Sequence, residues 1–321
     1  MTSTGTTAPA VSNATLTQRA AIASVVVATL LLGLKGVALW RTGSMAMLGS
    51  VADTTLDLVA SIVTLMGVRL AAAPADPEHR YGHGKAEALA SLFQVSLISI
   101  AAAGIAFESF SRLGNPHTTQ APEMGIGVSV IAILLSLVLI LYQRHVIRQT
   151  GSLAINTDSL HYMSDFVLNG SVIVALVLDH YFALKGADTL FGFAIAIWLG
   201  RGAWHGAIDA AEHLMDKEWS IEDRRRFIEV ASRHPKASGI HDMRTRTSGS
   251  DRFVQFHVWV DPEMSVRAAH DVMDEIEAEL RKEFPGVDIL IHPDPEGHIE
   301  KGGDPLRADE ALAVLETSKA H

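Results

Sequence analysis

Apolar residues fill the first two thirds of the chain in long runs, broken only at wide intervals by polar clusters. Six such runs stand out, at about residues 19–40, 44–72, 86–109, 124–146, 152–179 and 187–210. A bilayer core about 30 Å thick takes roughly 20 apolar residues of helix, so each run is long enough to cross one. The first holds one internal charge, Lys35, and the third holds none between Glu87 and Glu108. The fifth is polar in its first half, and the sixth carries Arg201 and His205.

Beyond Lys217 the pattern shortens and alternates. "SIEDRRRFIEVASR" (220–233) predicts a helix with Ser220 as its N-cap and Asp223 in the first turn. Residues 241–248 and 252–260 predict a hairpin around "SGSD", and "FVQFHVWV" has the β-branched and aromatic content of a strand. An amphipathic helix over 264–283 and a third strand, "VDILIH" at 287–292, complete an αββαβ order that suits a two-layer α+β domain. The expected fold class is therefore a polytopic α-helical membrane domain of six transmembrane helices plus a small α+β cytoplasmic domain. The expected divisions are a disordered N-terminal tail (1–18), the membrane domain (19–212), an αββαβ metal-binding domain (213–297) and a flexible C-terminal tail (298–321).

Charge follows the same division. Residues 217–321 hold 15 Lys/Arg and 22 Asp/Glu, whereas the first 216 hold 11 and 14. No basic patch is present to release phosphate counterions, which argues against nucleic-acid binding. Arg41, Arg112 and Lys185 follow the first, third and fifth runs singly. Arg80 and Lys85, flanked by Arg69, gather after the second, and Arg144 and Arg148 at the end of the fourth. Basic residues collect on the cytoplasmic side, so both termini are expected in the cytoplasm. The chain has no cysteine, so a metal would have to be held by His, Asp and Glu.

Ionisable residues within membrane helices are costly and mark substrate or proton pathways. The second run carries Asp53 and Asp57, and the fifth carries His161 and Asp165. Each pair is spaced i, i+4, one turn apart on one helix face. At 1.5 Å per residue, in helices running opposite ways, both pairs reach depths of roughly 13 and 20 Å. Opposed, they make a cage of three carboxylates and one imidazole. That suits tetrahedral Zn2+ and also admits Fe2+, Cd2+, Mn2+ or Co2+. Protons compete for the same atoms, His161 foremost. Metal loaded from inside and displaced by protons outside would couple efflux to the proton gradient. Asp158, His161, Asp165 and Asn169 form a polar stripe along the fifth run, which favours a route over a closed site.

Two further sets are less specific. Asp76, His79 and His83 suit either a second metal site or a solvated loop. His241, His257, His270, His292 and Asp294 fall on the expected strands and second helix of the tail. Scattered histidines are more often surface or core residues, but His292 and Asp294, two apart on a strand, share a face. No H-E-x-x-H occurs, so an intramembrane metalloprotease lacks its motif and an enzyme is not expected.

The pairing of Asp-x-x-x-Asp with His-x-x-x-Asp, the six helices and the αββαβ tail resemble the cation diffusion facilitator family. So do "YGHGKAEALAS", "LHYMSDFVLNG", "GIHDMRTRTSG", "FVQFHVWV" and "ILIHPDP", a match running from about residue 16 to 297. The resemblance implies a homodimeric, proton-coupled exporter of divalent metal in the bacterial cytoplasmic (inner) membrane, surrounded by lipid, with metallochaperone-like tails packed together. It implies that Asp53, Asp57, His161 and Asp165 are the transport site and that Asp76, His79 and His83 form a loop site. It also implies that His241, His257, His270, His292 and Asp294 hold a binuclear regulatory site bridged by Asp294. A histidine in the fifth helix suggests Zn2+ first, then Fe2+ or Cd2+. Two aspartates in the second helix suggest a mixed range. The alternatives are a membrane metal sensor that binds without transport, or an exporter whose main substrate is Mn2+ or Co2+.

Overall fold

The computed structural model describes residues 8–43, 45–112, 123–182, 187–236 and 238–297. The expected C-terminal tail, 298–321, lies outside the described residues. The chain divides into two compact units, one over Ala8–Leu214 and one from Met215 on.

The first unit is a bundle of six long helices: α1 (Ala8–Thr42), α2 (Met45–Ala71), α3 (Ala86–Arg112), α4 (Glu123–Thr150), α5 (Leu153–Phe182) and α6 (Ala187–Leu214). α1 begins inside the segment read from sequence as a disordered tail. Intrahelical hydrogen bonding does not need apolar side chains, and Thr17 Oγ1 donates back to the Asn13 carbonyl at 3.0 Å. Among the described residues, four stretches are long and apolar enough to cross a membrane: Asn13–Arg41, Met47–Ala71, Ala86–Ser111 and Gly127–Thr150. α5 and α6 are of similar length, but the first half of α5 is rich in buried polar residues, among them Thr157, Asp158, Ser159 and Ser164.

α3 packs along α6, α1 along α2 and α4 along α5, while α5 also touches α1, α2 and α3. At the α2–α3 crossing Gly67 allows the close approach, because a Cβ there would stand 2.5 Å from the Ala90 Cβ. Large apolar side chains such as Leu30, Met66, Ile100 and Val138 point outward. In water that would be unfavourable, and in lipid it is the expected arrangement.

The second unit comprises α7 (Ile221–Ala231), β1 (Ser238–Ser248), β2 (Asp251–Val260), α8 (Val266–Glu283) and β3 (Val287–Pro295). Ser220 and Ser265 cap the helices, accepting from the backbone N–H of Asp223 and Ala268. The sheet order is β1-β2-β3. β1 and β2 form the antiparallel hairpin, and α8 carries the chain back so that β3 lies parallel to β2. Phe227, Ile228, Phe256, Val258, Val272, Ile276 and Leu280 form a core of this unit's own.

Candidate metal centre

α2 and α5 bring Asp57, His161 and Asp165 together. One ligand atom from each lies within 4.8 Å of the others. His161 Nε2 stands 3.0 Å from Asp57 Oδ1 and 3.9 Å from Asp165 Oδ2, and all three residues are partly buried. Asp53, a turn away on α2, is exposed and lies outside this group of three. The i, i+4 spacing placed His161 and Asp165 on one face. What spacing could not give is which of the two turns of α2 meets α5: the structure brings Asp57 there and leaves Asp53 outside the cluster.

Beneath the cluster lies a polar hub. Asp158 is fully buried and accepts from Ser24 Oγ at 2.6 Å (α1), Gln94 Nε2 at 3.1 Å (α3) and Gln143 Nε2 at 2.7 Å (α4). Thr64 of α2 donates to Gln94 Oε1 at 2.9 Å, joining α2 to the hub as well. Tyr162 donates to the Ser24 carbonyl at 2.9 Å and stands 3.0 Å from Ser61 Oγ. Sequence reading placed Asp158 in a polar stripe, but its partners come from helices remote in the chain. The hub fixes the rotation of α5, and hence the direction of His161 and Asp165.

In the α2–α3 connection, Asp76, His79 and His83 form a second group. Asp76 Oδ1 accepts from the backbone N–H groups of His79 (2.6 Å) and Glu78 (2.9 Å). His79 Nδ1 lies 3.2 Å from Asp76 Oδ1, and His83 Nε2 lies 3.3 Å from Asp76 Oδ2. The His79 backbone N–H above all, and that of Glu78 after it, hold the Asp76 carboxyl below the usual carboxylate range. The other nitrogen of His83, Nδ1, is buried without a hydrogen-bond partner.

The third group is built by strand register. His241 pairs across the hairpin with His257, and His257 pairs across the parallel ladder with His292. Asp294, two residues further along β3, is buried and meets all three. Its Oδ2 is 2.8 Å from His257 Nδ1 and 3.2 Å from His241 Nε2, and its Oδ1 is 3.4 Å from His292 Nε2. Burial alone would raise the Asp294 carboxyl, but the His257 hydrogen bond and the neighbouring imidazoles hold it below the usual range. Asp242, at a break in the β1 ladder and with a positive φ of 42°, brings its carboxylate within 3.7 Å of His257 Nε2. No sequence signal singles Asp242 out, because its direction comes from that irregular backbone. His270 stands apart on α8, exposed and 3.3 Å from Asp274.

His241 shows what such a site can do. Its Nδ1 donates to the Gly239 carbonyl at 2.7 Å. In a neutral ring that leaves the Nε2 lone pair facing the Asp294 carboxylate. Two acceptors at this separation call for a cation between them, whether a proton or a metal ion. Gly239 has φ +54°, and a Cβ there would run into the Trp259 ring, so the residue supplying the carbonyl must be glycine.

A family model described as "Cation efflux transmembrane domain" matches residues 21–215, and one described as "Cation efflux protein, cytoplasmic domain" matches 219–296. The chain belongs to the cation efflux family. It is 39% identical to the cation-efflux pump FieF of Serratia proteamaculans (strain 568), over 90% of this chain and 96% of that one. It is likewise 39% identical to the cation-efflux pump FieF of Yersinia pestis (strain Pestoides F), over 86% and 92%. The solved metal-bound C-terminal domain of the CzcD transporter from Thermotoga maritima is 31% identical, covering 25% of this chain and 92% of that one, with a TM-score of 0.23. Membership in the cation efflux family, with the apolar helices, makes the chain a multi-pass membrane protein whose substrates are divalent metal cations.

Proposed function

We propose that the chain is a homodimeric, proton-coupled antiporter that exports divalent metal from the cytoplasm across the bacterial inner membrane, Zn2+ first and Fe2+ or Cd2+ after it. In this reading all six long helices cross the bilayer and both termini face the cytoplasm. Asp53, Asp57, His161 and Asp165 form the transport site. Asp57, His161 and Asp165 are already at ligand distance, and Asp53 joins them when an ion draws in a fourth donor. The observation that carries the reading is this grouping of two carboxylates and an imidazole from two helices of a unit that presents large apolar side chains outward.

Coupling follows from competition for the same lone pairs. Metal needs a neutral imidazole and ionised carboxylates, so protons entering from outside displace it, and the protonated site returns empty. The loop set (Asp76, His79, His83) stands ready to deliver ions. The set His241, His257, His292 and Asp294, with His270, binds Zn2+ as a regulatory ion in paired C-terminal units.

Purified protein in sealed vesicles with an imposed pH gradient tests this. Zn2+ flux should follow the gradient and fall to background in Asp57→Ala and His161→Ala. Flux that survives both substitutions would overturn the transport site. Binding without flux would make the chain a sensor, and flux of Mn2+ or Co2+ in preference to Zn2+ would reassign its substrate.

A further inference from the structure

Lys35 is the one charged side chain of α1 between Arg19 and Arg41. It is partly buried, and its ammonium donates to Thr54 Oγ1 of α2 at 2.6 Å. Thr54 is 1% exposed and lies next to Asp53 and one turn before Asp57. The ammonium is therefore moored to the backbone turn that carries both α2 carboxylates. It lies within electrostatic reach of Asp53 and of Asp165 across the site. Among the described residues, however, it forms no ion pair with either.

An ammonium inside a membrane bundle is costly unless negative charge is near. Three carboxylates, Asp53, Asp57 and Asp165, outweigh a divalent ion by one formal charge. A fixed ammonium makes up the difference. Asp158 has its own donors in Ser24, Gln94 and Gln143 and does not need Lys35.

We propose that Lys35, moored by Thr54, is a built-in cation that opposes metal at the α2–α5 site, setting its affinity low enough for release and turnover. This rests on the intramembrane site assigned above. Lys35 binds no metal. It acts through the potential at the ligands, and Thr54 keeps it close without letting it occupy them. An unmoored ammonium would pair with Asp53 or Asp57 and compete with the ion outright.

Cd2+ titration calorimetry on the full chain in detergent tests this. The parent would carry His79→Ala, His83→Ala, His241→Ala and Asp294→Asn, so that heat reports the membrane site. Adding His161→Ala should abolish binding, and binding that persists there would sink the site itself, independently of Lys35. With the site secured, Lys35→Met should tighten Cd2+ binding by about tenfold or more, the scale of one unit charge at this range in a partly shielded interior. Lys35→Arg, which keeps the charge, should stay near the parent. In vesicles Lys35→Met should lower both the half-saturating metal concentration and the maximal flux, because release slows.

A packing role would weaken binding, so weaker or unchanged affinity in Lys35→Met overturns the proposal, as does an equal shift in Met and Arg. Should Lys35→Met fail to fold, Thr54→Val frees the ammonium and should weaken Cd2+ binding. Unchanged or tighter binding in that variant overturns the proposal.

Discussion

At the scale of single residues, the three ligand groups depend on how each imidazole is oriented. His241 is the clearest case, since the Gly239 carbonyl takes its Nδ1 proton and directs the other nitrogen at Asp294. Gly239→Ala forces a Cβ against Trp259 in a left-handed backbone. It should destabilise the C-terminal unit by about 1–3 kcal/mol and weaken metal binding there, as chemical denaturation and Zn2+ titration of the same samples would reveal. Asp294 also imposes a pH dependence. Its carboxyl is held below the usual range in the folded unit, so its contribution is complete above the unfolded carboxylate range near 3.9 and disappears as pH falls through the lower folded value. Metal-free protein should thus lose stability on acidification below about pH 4, and Asp294→Asn should flatten that limb of the curve. An unaltered acid limb in the variant would count against the account.

Helices and strands determine which of these residues can meet. Hydrophobic runs made the helices legible, and i, i+4 spacing made the two acidic faces legible. Neither could tell which turns of two helices meet, and so Asp53 and Asp57, alike in sequence and on one face, end in different surroundings. That alignment rests on contacts far apart in the chain, above all the donors from α1, α3 and α4 that converge on Asp158. Asp158→Ala leaves those donors buried and unpaired, which should cost the helical unit about 3 kcal/mol or more. It should also depress Zn2+ affinity at the proposed membrane site, although Asp158 is not among the proposed ligands. A thermal melt in detergent paired with metal titration would test both effects. In the strands, alternation predicted that His292 and Asp294 share a face. The row of His241, His257 and His292 needed the ladder pairings, which only the folded sheet supplies.

For the molecule as a whole, two units with separate cores divide the chemistry. The C-terminal unit closes around Phe227, which stacks edge-on against Phe256 at 5.6 Å. Phe227→Ala should therefore cost that unit about 3–5 kcal/mol while Cd2+ binding that depends on His161 persists. Loss of both together would show that the units do not fold independently. The order of elements and the change from long apolar runs to short alternating ones made this two-part plan readable from sequence. Sequence could not say where His270 would stand: α8 leaves it exposed, 3.3 Å from Asp274 and outside the group of His241, His257 and Asp294.

The imidazole row across β1, β2 and β3 has one more consequence. Side chains on a strand alternate faces, so sliding any of the three by a single position would turn its histidine to the opposite side and scatter the ligands. A chain threaded wrongly at this sheet offers an incoming ion no such nest, and a chain threaded rightly does. A divalent ion bound there, as proposed above, would therefore act as an inspector of strand alignment while the domain matures, favouring properly assembled copies.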